Sequence, residues 1–343
     1  VDYKIVDPEA TKDPETGEFP PGIYKSVYHA IKDAPSKVIV LMPGIYEETI
    51  LIEDETTLIS LRSARDLLED RGEDLPESSG MPSVIVGENF HTFTILGDAT
   101  LYDLSIVQRG SGRWFALFCG SGSAKVTLCD FDGSTSSVIG ICGGATPIIS
   151  KSKVHGGKHG CGIYIFQGGK GEIIENEIFD NAMSGIEVCG EDSEPLVRNN
   201  RIFSNRGDGV LVTDSAKCSL EDNTIERNFH AGVEARERAQ VRAERNGVRH
   251  NNFGVVVARQ AAATLLDNSL ERNWITGVEI SRRSREEGAA RTELRGNRIA
   301  YNLESGVKVW YDGGARVDGN ELVANGQPLA LTPRSRKRTP LGP

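Results

Sequence analysis

The sequence predicts an all-β protein, a right-handed parallel β-helix (solenoid) with about three short strands per ~23-residue coil and a short N-terminal capping helix. The first observation is a glycine followed by Val or Ile that recurs at steps of 23, 24, 23, 22, 23 and 29 residues. These glycines are Gly162, Gly185, Gly209, Gly232, Gly254, Gly277 and Gly306. Self-similarity at a nearly fixed period indicates stacked repeats.

The second observation is a pair of asparagines, five residues apart, in every period. Each asparagine follows an apolar residue by three positions, a spacing that suits short strands joined by tight corners. Asparagine tolerates a left-handed backbone, and its amide can bond to the same amide one coil away. The first asparagine of each pair is therefore predicted to belong to a structural ladder that runs from coil to coil. These asparagines are Asn176, Asn200, Asn223, Asn246, Asn268, Asn297 and Asn320. Leucine-rich and helical repeats fit less well, because they need a denser leucine frame or a longer period.

The remaining chain predicts three segments. Residues 1–24 are rich in Pro, Asp and Glu and predict an extended acidic arm. Residues 25–326 predict a single β-helix domain, with Ser26 capping the helix that covers the first coil, irregular coils to about residue 160, and regular repeats over 161–326. Insertions interrupt the pattern at 62–82 and 281–291. The basic segment 327–343 predicts a disordered tail.

Charge and cysteine content narrow the function classes. Residues 1–100 carry 8 Lys/Arg against 20 Asp/Glu, which argues against nucleic acid or an anionic membrane as the main partner. The chain has no apolar run of ~18 residues, so no transmembrane helix is predicted. Its six cysteines lack a metal-binding spacing and predict buried apolar fillers, with no metal and no cofactor. Cysteines used as buried fillers favour a reducing intracellular location, cytoplasmic or nuclear.

Two stretches carry a resemblance to known families. The predicted helix is followed by a strand and then by Pro43-Gly44-Ile45-Tyr46, and this order resembles the N-terminal start of the β-helix in the pectin-lyase-like superfamily. The segments 162–166 and 174–186 resemble the β-helix repeats of F-box ubiquitin-ligase substrate receptors and of the Shc SH2-binding protein. The resemblance implies a β-helix over roughly residues 24–326. It implies no ligase recruitment, because no F-box segment is visible.

Four residues are candidates for catalysis. Asp130 and Asp132 lie in Cys-Asp-Phe-Asp-Gly, which resembles a box of pectin methylesterases, although an acidic pair after a strand is also typical of a corner. His155 and His159 lie among lysines and are titratable near neutral pH, although a role as solvated loop residues is the default explanation.

The outward positions of the repeats predict a surface for recognition. The residues expected there are Tyr164, Glu187, Glu234, Glu279 and Trp310. Variation along a stacked face suits a non-catalytic scaffold that binds protein partners, alone or within a larger assembly, and this is the function that we predict. The alternative is a carbohydrate-active enzyme or lectin, of lyase, esterase or epimerase type, acting on an acidic polysaccharide. That alternative requires charged side chains from neighbouring coils to meet in one groove.

Overall fold

A computed structural model describes residues 3–33, 37–68, 80–133, 135–281, 292–310 and 315–332. The chain winds as a parallel β-helix, because successive strands join three different sheets in turn and then return to the first. The described residues form sheets of 14, 12 and 12 strands, and neighbouring strands within each sheet are parallel. The predicted all-β solenoid is therefore confirmed.

Sheet 1 contains, in spatial order, Ile23–Tyr24 (β2), Tyr3–Val6 (β1), Val38–Leu41 (β3), Thr56–Ser60 (β6), Ala99–Tyr102 (β9), Lys125–Thr127 (β12), Ile148–Ser150 (β15), Glu172–Ile174 (β18), Leu196–Arg198 (β21), Lys217–Glu221 (β24), Gln240–Glu244 (β27), Ala262–Leu266 (β30), Thr292–Arg295 (β33) and Ala315–Asp318 (β36). Sheet 2 contains Gly44–Glu47 (β4), Ser83–Gly87 (β7), Ser105–Gln108 (β10), Asp130–Gly133 (β13), Lys153–His155 (β16), Glu177–Phe179 (β19), Arg201–Phe203 (β22), Thr224–Glu226 (β25), Gly247–Arg249 (β28), Ser269–Glu271 (β31), Arg298–Ala300 (β34) and Glu321–Val323 (β37). Sheet 3 contains Ile50–Ile52 (β5), Phe93–Ile95 (β8), Leu117–Cys119 (β11), Ile139–Ile141 (β14), Ile163–Ile165 (β17), Ile186–Cys189 (β20), Val210–Thr213 (β23), Ala231–Ala235 (β26), Phe253–Val257 (β29), Thr276–Ile280 (β32), Ser305–Trp310 (β35) and Gln327–Thr332 (β38).

The capping helix is present as α1, Val27–Lys32, and buries Val27 and Ala30 against the first coil. Ser26 is its N-cap and accepts a hydrogen bond from the backbone N–H of His29. Glu48, in the first coil, completes the cap by accepting from the backbone N–H groups of Val27 and Tyr28, each at 2.9 Å. The carboxylate thus satisfies helix N–H groups that have no partner within the helix.

Both predicted terminal segments contribute strands. The expected N-terminal arm supplies β1, which lies between β2 and β3, and the expected tail supplies β38, which pairs with β35. The physical reason is that the edges of a parallel sheet expose unpaired backbone groups, which a further strand satisfies. The rest of the tail, 333–343, lies outside the described residues.

The insertion at 62–82 begins as a helix, α2, which spans Leu61–Leu68. Its middle, 69–79, lies outside the described part, as does nearly all of the insertion at 281–291. In the residues described, no helix is long and apolar enough to span a membrane.

The asparagine ladder is confirmed, but the left-handed residue is not the asparagine. Asn200 is typical: its side-chain Nδ2 donates to Ile173 O and to Asn223 Oδ1, and its backbone N–H donates to the same Oδ1. The positive φ falls one residue earlier, at Asn199 (φ 56), and likewise before the other ladder positions. The asparagines are therefore selected for their amides, which bond both to the strand and to the next coil.

The recurrent glycine is explained by close packing inside the coil. A Cβ atom on Gly209 would lie 2.3 Å from Ile225 Cγ2 and 2.5 Å from the carbonyl oxygen of Gly232. No side chain fits at those distances, so the period of the sequence follows from a contact repeated in each coil.

Candidate functional site

The outer face of sheet 2 brings three of the four predicted catalytic residues together. β13 and β16 pair in register, with Asp130 opposite Lys153 and Asp132 opposite His155. The Nε2 atom of His155 lies 2.9 Å from Asp130 Oδ1, and its Nδ1 atom lies 3.9 Å from Asp132 Oδ1. His159 is exposed in the following loop and does not join this cluster.

The electrostatics of the cluster favour a protonated imidazole. The hydrogen bond that His155 donates to the Asp130 carboxylate raises the pKa of His155 above its usual value, and this outweighs the opposing effect of burial. The same hydrogen bond lowers the pKa of Asp130, with smaller contributions from nearby Lys153 and Arg62. His155 is therefore suited to donate a proton near neutral pH, with Asp130 holding its orientation.

An aromatic stack fixes the imidazole ring from the other side. The rings of His155 and Phe179 have centroids 5.0 Å apart, and Phe179 stacks on Phe203 at 5.1 Å. The Arg201 guanidinium closes the column, 4.0 Å from the centroid of Phe203. Because the ring faces cover one another, the stack positions His155. The sequence carried a signal for it, since both phenylalanines follow an isoleucine at the same repeat position, 24 residues apart.

A groove lies further along the same edge of sheet 2, at the corner that leads into sheet 3. It has a volume of about 380 Å³, and its lining includes Arg227, Phe229, His250, Asn252 and Trp274. Phe229 and Trp274 are 73% and 63% exposed, so their ring faces are open to a ligand. Both rings line the groove because the corner between the sheets turns them outward.

The groove is bordered by a row of basic residues. Arg227, His250 and Arg272 precede the second asparagine of three successive coils, and each has a positive φ. Two further basic residues lie in earlier coils: Arg206 follows Asn205, and Lys158 follows Gly157, whose backbone N–H donates to the next ladder residue, Asn181. The corner therefore combines aromatic faces with positive charge, a combination that recognises ring-shaped anionic ligands.

The surface that was predicted on sheet 3 forms a column but not a single site. Tyr164, Glu187, Glu234 and Glu279 lie in register with one another and with the residues between them.

Their contacts within this column differ. Tyr164 stacks on Phe166, the thiol of Cys161 donates to Glu187, and Trp310 Nε1 donates to Glu279 at 2.9 Å.

Glu234 instead meets two residues that the sequence analysis missed, Asp208 and His230. These come from different repeat positions, so inspection of one column does not find them. Strong hydrogen bonds to the two carboxylates raise the pKa of His230 to about 10.

Comparison with known proteins identifies a matching family and several similar solved structures. Residues 136–286 match the family described as right handed beta helix region. Similar solved structures include the A-modules of the Azotobacter vinelandii mannuronan C-5 epimerases AlgE6 (17% identity, TM-score 0.63, 89% of this chain and 90% of that one) and AlgE4 (14%, 0.62, 87% and 91%). The pectate lyase Pel9A is also similar (12%, 0.50, 94% and 79%). No curated protein sequence matches significantly.

The chain has a right-handed parallel β-helix fold, which it shares with these solved structures. At these identities the solved structures establish the fold alone. The narrower resemblance of this β-helix to F-box receptors and to the Shc SH2-binding protein stays a prediction, as does the intracellular location.

The prediction of a non-catalytic scaffold that binds protein partners is wrong. The structures similar to this β-helix are named as epimerases and a pectate lyase, which are carbohydrate-active enzymes. The scaffold prediction rested on the variation of residues along the sheet 3 column. Such variation is expected both on a protein-binding face and on a surface that binds nothing, so it does not distinguish the two. The alternative, a carbohydrate-active protein, agrees better with these relatives.

Proposed function

We propose that this β-helix is a carbohydrate-active protein that binds an acidic polysaccharide along one edge of sheet 2 and transfers protons at His155. The observation that carries the proposal is the placement of the His155–Asp130 pair and the aromatic groove on that same edge. They are joined by successive strands from β16 to β31. The names of the similar solved structures, with mannuronan and pectate in them, support this class of ligand.

The dimensions suit a polymer. Six coils, β16 to β31, rise by about 24 Å, because parallel strands repeat every ~4.8 Å. Open rings such as Phe229 and Trp274 stack on the apolar faces of sugars, and Arg227 and Arg272 pair with carboxylates. An extended chain of uronate residues fits this line better than a small molecule, because only a polymer reaches both the groove and the His155–Asp130 pair.

The cluster supplies an acid, a base and a cation for cleavage of a uronate chain by β-elimination. Asp132 accepts the C5 proton, and Lys153 stabilises the substrate carboxylate as negative charge develops on it. His155 donates its proton to the glycosidic oxygen as the C4–O bond breaks and a C4–C5 double bond forms. Asp130 and Phe179 hold the imidazole in place and touch no reacting atom.

Binding is tested by calorimetric titration with oligomannuronate, oligogalacturonate and, as the neutral control, dextran. We expect an acidic oligosaccharide to bind and dextran not to bind. Trp274→Ala weakens binding about fivefold, since a stacking contact contributes roughly 1 kcal/mol. Tyr28→Ala, an exposed aromatic on α1, is the matched control and leaves affinity unchanged. Equal binding of dextran, or equal effects of the two variants, would contradict the assignment of the groove.

Turnover is tested by the absorbance of unsaturated uronate ends. We expect His155→Gln and Asp132→Asn each to reduce the rate by at least about 100-fold while affinity is retained, because general acid–base groups contribute that much. A wild-type protein that binds the polymer and leaves its ends and its C5 protons unchanged, measured by NMR in deuterated water, would exclude the catalytic step and identify a lectin.

A further inference from the structure

A second cluster of titratable groups lies on the surface of sheet 3, apart from the His155 centre. Asp208 precedes β23, His230 precedes β26, and Glu234 lies within β26. The Nδ1 atom of His230 is 2.6 Å from Asp208 Oδ1 and 3.3 Å from Glu234 Oε2. The three donor atoms all lie within 4.8 Å of one another.

The cluster is buried on its acidic side and open on the other. The side chains of Asp208 and Glu234 are 9% and 10% exposed, whereas that of His230 is 48% exposed. Two buried carboxylates are costly unless a positive charge compensates them, and either a protonated His230 or a bound metal ion supplies that charge. Solvent access at the imidazole provides an entry route for an ion.

We propose that Asp208, His230 and Glu234 form a binding site for one divalent transition-metal ion, of the Zn²⁺ class. Zn²⁺ binds imidazole nitrogen and carboxylate oxygen at about 2.0–2.2 Å, so tetrahedral ligand atoms lie roughly 3.3–3.6 Å apart. The separations of 2.6 and 3.3 Å from His230 Nδ1, with the third separation within 4.8 Å, lie close to this range. A nitrogen ligand favours a transition metal over Ca²⁺ or Mg²⁺, which prefer oxygen alone.

Neighbouring groups hold the ligands in place. The backbone N–H of Ala231 donates to Asp208 Oδ1 at 2.9 Å, and Arg236 lies 3.7 Å from Glu234 Oε1. The ring of Phe253 packs edge-on against His230, with centroids 5.7 Å apart. Such outer contacts fix the orientation of metal ligands. Three protein ligands leave a coordination position for water or for an oxygen of a bound molecule.

The site is independent of the proposed polysaccharide chemistry, and its test does not use that activity. Protein without a histidine tag is treated with EDTA, dialysed, and titrated with Co²⁺ while its visible absorption is followed. Zn²⁺ affinity is then measured by competition with a chromophoric chelator. We expect one site per chain, a Co²⁺ spectrum, and a rise in the unfolding midpoint with Zn²⁺ but not with Ca²⁺.

Matched variants separate this site from other surface groups. His230→Ala and Glu234→Gln weaken Zn²⁺ binding by at least about 100-fold, since loss of even an outer contact costs 10- to 100-fold. His250→Ala, a histidine of the groove, and Glu187→Gln, two coils away in the column of Glu234, leave it unchanged. Circular dichroism in EDTA verifies that each variant is folded.

The proposal is overturned if the wild type binds Zn²⁺ no better than Glu234→Gln, or if His250→Ala has the same effect as His230→Ala. The first result would mean that the cluster is an internal ion pair completed by a protonated histidine. Equal affinity for Ca²⁺ would overturn the assignment to a transition metal.

Discussion

Removal of one amide from the middle of the ladder tests how the coils are held together. Asn223 Oδ1 accepts from the backbone N–H and from the side-chain Nδ2 of Asn200, at 2.9 and 3.1 Å, and Asn223 Nδ2 donates to Val197 O and Asn246 Oδ1 at 2.8 and 2.9 Å. Asn223→Ala leaves the buried N–H of Asn200 without this partner, at a cost of ~1–3 kcal/mol, and each of the other three lost bonds costs ~0.5–1.5 kcal/mol. We expect a loss of about 3–7 kcal/mol.

The assay is equilibrium unfolding in guanidinium, followed by circular dichroism, together with hydrogen exchange to locate opened coils. Hydrogen exchange is needed because repeat proteins can unfold in parts. Asn252→Ala is the control, since its amide makes one bond, to Phe229 O, near the surface. A difference of less than about 1 kcal/mol between the two variants would refute the reasoning that buried amide pairing holds the coils.

Three further predictions follow from single contacts. Gly209→Ala destabilises the fold by about 1–3 kcal/mol because the added Cβ has no space. Gly247→Ala, with nothing within 4 Å of the added Cβ, is neutral or stabilises the fold by up to about 1 kcal/mol. Thermal unfolding of the two variants checks both values. The pKa of His155, measured by NMR, lies above 6.5 and falls in Asp130→Asn. Because the pKa is raised in the folded state, the stabilisation from the His155–Asp130 pair is complete below pH 6.5 and is lost as the pH rises through the folded pKa. An unchanged pKa of His155 in Asp130→Asn would contradict this assignment. Glu48→Ala removes the shared cap of α1 and costs about 0.5–2 kcal/mol, with faster hydrogen exchange confined to the first coil.

The repeat pattern predicted the coil, the ladder and the register because these depend on identical neighbours one period away. Aligning the Gly-Val pairs placed Glu187 and Glu234 in one outward column, and the strand pairings have that register. The same logic predicted the capping helix, since an open first coil requires a cover. The pattern was less informative about the ends, where β1 and β38 add strands of irregular sequence.

The candidate site was only half accessible from the sequence. The sequence identified Asp130 and His155 as candidate catalytic residues by their chemistry. That they contact each other became clear only from the register between β13 and β16. The groove of Phe229 and Trp274 required knowing that a corner turns both rings outward two coils apart.

The sequence by itself determined the architecture of this β-helix, because a period of about 23 residues leaves few ways to satisfy buried backbone and asparagine amides. It did not determine which side chains from different repeat positions meet. Asp208, His230 and Glu234 converge only once the turn before β26 carries the imidazole over the neighbouring coil. Periodicity fixes contacts along the solenoid axis, whereas contacts around a corner depend on backbone dihedrals that the repeat does not specify. The tertiary structure decided those contacts.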